Sequence, residues 1–74
     1  MRMAHIWPRY EDDAVGISEI KQAVDRIVGD GRAQVRNGGA YVRVRLSDDE
    51  EPIVRSAVEP IAGLVDIDDA TCMV

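Results

Sequence analysis

The chain has 74 residues, is 46% hydrophobic and 31% charged, and carries a formal net charge of -5. That length makes one domain, residues 1–74. The composition excludes a disordered chain, and no apolar run approaches the roughly 20 residues of a membrane span. The negative balance disfavours non-specific binding to nucleic acid or anionic membrane and suits docking onto another protein.

Arg2 to Tyr10 is short and mixed. Met3, Ile6, Trp7 and Tyr10 line a strand in this reading, and Pro8, which cannot donate to a ladder, makes it an edge strand or ends it near Trp7. Glu11-Asp12-Asp13 is a polar turn. A helix follows, with Ser18 as N-cap and Glu19 in the first turn. Ile17, Ile20, Val24, Ile27 and Val28, joined by Ala23, fall three to four residues apart on one face, and Gly29-Asp30-Gly31 ends it.

Ala33 to Leu46 reads as a hairpin. Asn37-Gly38-Gly39 supplies residues that accept positive φ. A turn at Asn37-Gly38 sets Val35 opposite Ala40; one at Gly38-Gly39 sets Val35 opposite Val42. Either register gives the same two faces. Ala33, Val35, Ala40, Val42, Val44 and Leu46 form the dry face; Gln34, Arg36, Tyr41, Arg43 and Arg45 form a wet, basic one.

Ser47-Asp48-Asp49-Glu50 has the spacing of a capping box, and Pro52 is tolerated early in the helix it opens. Ile53, Val54, Ala57, Val58 and Ile61 make the apolar stripe, and Pro60 stops the helix at Glu59. From Leu64 to Val74 the pattern alternates again. Either a two-residue turn at Asp68-Asp69 sets Val65, Ile67, Ala70, Cys72 and Val74 on one face, or a single strand runs to the end. The fold class is therefore α+β: a two-layer sandwich of strand, helix, strand, strand, helix and one or two strands. The sheet is mostly antiparallel, with both helices on one face.

No catalytic motif stands out. His5 is the only histidine, and no nucleophile sits with it in a recognisable arrangement. Cys72, the only cysteine, reads as a small core residue and permits no internal disulfide, which points to a reducing cytoplasm. Met1 to Pro8 lacks the long apolar core of a signal peptide. One histidine and one cysteine do not make a zinc site without carboxylate help. Asp66, Asp68 and Asp69 lack the glycine and distal glutamate of a calcium loop, and no glycine-rich loop cradles a phosphate. No cofactor is expected.

Asn37 to Val44 overlaps the strand signature of the RNA-recognition motif. Gly39 and Val44 stand where aromatics belong, which leaves Tyr41 alone as a stacking platform. Arg36, Arg43 and Arg45 then read as solvated or loosely paired, or as part of a protein-docking face, where Tyr and Arg are enriched. Trp7 fills the core or, exposed beside Pro8, anchors a partner.

Val15-Gly16, the helix after it, Ala33-Gln34-Val35 and Ala40-Tyr41-Val42-Arg43-Val44 together resemble a known family. It is that of the regulatory or effector proteins of bacterial multicomponent diiron monooxygenases, the coupling proteins of phenol, toluene and methane hydroxylases. Ala62-Gly63-Leu64-Val65 with Asp68-Asp69 is similar to that family's closing strand and acidic turn. The resemblance covers Asp13 to Leu46. It implies a small, acidic, cofactor-free protein, not itself an enzyme, that binds a hydroxylase component and alters access to its active site or its reduction. Trp7, Tyr10, Tyr41, Arg43 and Arg45 are the expected contact residues. The alternative is a generic ferredoxin-like interaction or assembly module: an inhibitor, an adaptor or a phage factor. A domain this small buries only about 60% of its unfolded surface, so a homodimer would add burial that it lacks.

Overall fold

A computed structural model describes residues 2–69. The elements are β1 (Arg2–Pro8), α1 (Ala14–Val28), β2 (Gln34–Arg36), β3 (Tyr41–Leu46), α2 (Glu50–Val58) and β4 (Ala62–Asp69). The strands form one sheet in the order β2-β3-β1-β4, every neighbouring pair antiparallel. β3 therefore lies between the parallel strands β1 and β2, and β1 between the parallel strands β3 and β4. Two such split βαβ units make the ferredoxin-like topology. The expected α+β sandwich is the fold.

The core is one cluster under a single sheet face. Ala4 and Ile6 from β1 and Val42, Val44 and Leu46 from β3 meet Ile17, Ile20 and Val24 of α1 and Val54 and Val58 of α2. Ile20, Val24, Val54 and Val58 are fully shielded from water. Their three- and four-residue spacing places them on the inner stripe of each helix. The dry hairpin face faces inward as read, but its outer end does not stay dry. Val35 is 41% exposed, because β2 is a three-residue strand at the sheet margin.

β1 ends at Pro8, one residue past Trp7, as one of the two sequence readings has it; the other, an edge strand, is corrected. β1 is a central strand, paired with β3 through Ile6↔Val42 and with β4 through Ile6↔Val65. Pro8 is accommodated because the register with β4 shifts between Trp7 and Pro8, where Trp7 opposes Leu64 and Pro8 opposes Ala62. Gly63 sits at that bulge, and a Cβ there would lie 2.7 Å from the Pro8 carbonyl oxygen and 2.8 Å from the Arg9 Cα. Only glycine lets the two backbones approach this closely.

The first helix begins a turn earlier than read. Asp13, not Ser18, is its N-cap, and the Asp13 carboxylate accepts from the Gly16 N–H at 2.9 Å. Glu19 therefore lies beyond the first turn. The interior glycine at 16, a poor helix former, hid the true start. Its lack of a side chain makes room for the cap, since a Cβ at Gly16 would lie 2.5 Å from an Asp13 carboxylate oxygen.

The hairpin takes the Val35↔Val42 register. Asn37, Gly38 and Gly39 all have positive φ, at 58°, 68° and 95°, and the N–H groups of Gly39 and Ala40 both donate to the Arg36 carbonyl. The capping box closes as read: the Glu50 N–H donates to Ser47 Oγ at 3.2 Å, and the Ser47 N–H donates to the Glu50 carboxylate at 2.9 Å. The apolar stripe of α2 is narrower than expected. Val54 and Val58 are buried, whereas Ile53 is 55% exposed.

Asp68 and Asp69 pair with Met3 and Arg2 inside β4, so no turn forms there. The expectations for Ala70, Cys72 and Val74 lie outside the described residues. No helix among the described residues is long and apolar enough to cross a membrane.

Candidate functional site

Both helices cover one side of the sheet; among the described residues no element covers the other. Period-two alternation decides what it displays. In β1, Ala4 and Ile6 point inward, so Met3, His5 and Trp7 point out. In β3, Val42 and Val44 point inward, so Tyr41, Arg43 and Arg45 point out. The pairing registers continue the rows onto β2 and β4. One row is Arg36, Tyr41, Trp7, Leu64. The next is Gln34, Arg43, His5, Asp66. The third is Arg45, Met3, Asp68.

Three rings converge at the middle of this face. The Trp7 and Tyr41 centroids are 5.2 Å apart, those of His5 and Tyr41 5.5 Å, and those of His5 and Trp7 6.0 Å, all tilted. These separations lie in the range where aromatic pairs attract beyond simple burial. Each of the three residues is half-buried. Trp7 is therefore a surface residue with a packed flank and lies outside the core cluster. Leu64, beside Trp7, is 57% exposed.

Charge is split across the face. Arg36, Arg43 and Arg45 stand on the β2–β3 half, and Asp66 and Asp68 on β4. Among the described residues, no ion pair engages any of these five. A recess of about 460 Å³ lies on the basic half, lined by Met3, Arg32, Gln34, Arg43 and Arg45. Arg32 is committed elsewhere. Its guanidinium grips the Glu50 carboxylate with two bonds of 2.9 and 3.0 Å and donates to the Arg45 carbonyl at 2.6 Å. The Arg32 hydrogen bonds, helped by the Ser47 N–H, hold the Glu50 carboxyl down at about 2.

The expected contact residues separate into two groups. Trp7, Tyr41, Arg43 and Arg45 share the open face. Tyr10 does not: it follows β1 in the loop, is 72% exposed, and lines a second recess of about 420 Å³ with Trp7, Pro8, Asp12, Asn37 and Gly38. Sequence reasoning missed Met3, His5, Leu64, Asp66 and Asp68. The alternation of Ala4 and Ile6 against Met3, His5 and Trp7 was the available signal for β1. Grouping Met3 and Ile6 on one face concealed it.

Among the described residues, no group of three or more His, Cys, Asp or Glu side chains is placed to hold a metal ion. No family model, curated protein or solved structure matches the chain.

Proposed function

We propose that this chain is a non-catalytic regulatory protein that docks on a partner enzyme through the open face of its sheet. The observation that carries the reading is the uncovered seam of Trp7, His5 and Tyr41 bordered by Arg43 and Arg45. Trp, Tyr and Arg are the residues that dominate binding energy at protein interfaces, and they do so when clustered at the centre of a patch. On the resemblance of Asp13 to Leu46 to the diiron monooxygenase effectors, the partner is the hydroxylase component of such an enzyme. The chain acts on it through different affinities for the hydroxylase's states. Steady-state turnover of a diiron hydroxylase, titrated with the chain, tests this. Turnover is expected to change with the wild type and to change far less with Trp7→Ala. No complex and no change in turnover would remove the reading.

One observation favours a second reading. His5 and Trp7 join Tyr41 on the two central strands, which makes a stacking surface for single-stranded nucleic acid. Quenching of Trp7 fluorescence by an oligonucleotide, weakening steeply with salt, is the outcome that would put this reading first.

A further inference from the structure

We propose that the open face also binds a second copy of this chain, with a two-fold axis running along β1. The inference rests on the docking role argued for that face and names an additional occupant. A rotation about β1 lays the β3 side of one copy over the β4 side of the other, row by row. Arg43 then faces the second copy's Asp66, and Arg45 faces its Asp68. Tyr41 covers the exposed Leu64, while Met3, His5 and Trp7 meet their own counterparts on the axis. The two rows that carry an arginine on β3 and an aspartate on β4 are each matched twice, as an isologous contact requires, while Arg36, on β2, lies beyond the second copy's edge strand. The recess lined by Arg43 and Arg45 gives the second copy's carboxylates a place to enter. An axis perpendicular to the strands would instead oppose arginine to arginine, so the charge split selects one arrangement.

The face is small. Three overlapping strands about 4.8 Å apart and about 3.3 Å per residue give a footprint of roughly 300 Å² per copy. That falls short of the roughly 1,200 Å² total of a standard stable interface. The dimer is therefore weak and concentration-dependent, and a larger partner surface can displace it.

Sedimentation of the whole chain between about 10 µM and about 1 mM at low salt is the first measurement. A dimer fraction should appear and shrink as ionic strength rises from about 0.05 M to about 0.5 M. Arg43→Glu and Asp66→Arg should each weaken self-association at least about tenfold, because each homodimer then repeats a like-charge contact twice. Mixing the two variants should restore it, since the heterodimer has opposite charges at both sites. Arg45→Glu mixed with Asp68→Arg repeats the test one row away, and unchanged urea midpoints show that all four variants fold. A chain that stays monomeric at about 1 mM and low salt, or a mixture that associates no better than either variant alone, overturns the inference. A monomer that still alters hydroxylase turnover sinks only the dimer. A dimer without effect on the hydroxylase sinks only the effector reading.

Discussion

At two glycines a Cβ would strike a neighbour closer than 3 Å, and each makes a sharp prediction. At Gly63 the atoms a Cβ would strike are backbone, the Pro8 carbonyl and the Arg9 Cα, so no side chain can swing away. Gly63→Ala should cost about 1–3 kcal/mol, the range for forced overpacking, read as a lower urea midpoint. Gly16 differs, because what a Cβ would strike is the Asp13 side chain itself. Alanine there gains about 1 kcal/mol of helix propensity and forfeits a cap worth about 0.5–2 kcal/mol. Gly16→Ala should be close to neutral in the wild type and stabilising by about 1 kcal/mol once Asp13 is already alanine. A double-mutant cycle measures the coupling; additive effects would show that Asp13 does not cap the helix.

The elements show how far the sequence reaches. The hairpin faces, the capping box and the end of α2 were readable because each depends on residues within a few positions of one another. The capping box yields a pH prediction. Glu50 titrates at about 2 in the fold instead of its ordinary 4.5, owing first to the Arg32 hydrogen bonds. Its contribution is therefore complete above about 4.5 and is lost as pH falls toward about 2. Urea midpoints measured across that window should fall more steeply for the wild type than for Glu50→Gln. The central place of β1 was not readable, because its neighbours, β3 (Tyr41–Leu46) and β4 (Ala62–Asp69), lie far along the chain, the nearer with a helix and a strand in between. For the same reason the site was half legible. Tyr41, Arg43 and Arg45 followed from one strand's alternation, whereas bringing His5 and Trp7 beside them took the pairing of β1 with β3.

At the scale of the whole molecule, the interior is a single aliphatic cluster, and a chain of this length has roughly 4–11 kcal/mol of stability to lose. Ile20, fully shielded at the centre of α1, is the residue on which that cluster depends most directly. Ile20→Ala should cost about 2–5 kcal/mol, a large share of the total. Thermal melts are expected to show the variant partly unfolded near physiological temperature. A shift of only a few degrees would mean that the helix layer holds the sheet less firmly than its burial implies. The same smallness bears on the exposed sheet: one side of the layer receives two helices, and among the described residues no third element lies over the other.

None of the three aromatic side chains belongs to the core: the cluster consists of Ala, Val, Ile and Leu, while Trp7 and Tyr41 lie on the open face and Tyr10 in the adjoining loop. The interior is thus optically silent, and the lone indole is a native gauge fixed on the face proposed for docking. Its emission will register occupancy without any label, whereas unfolding is better followed by the peptide signal.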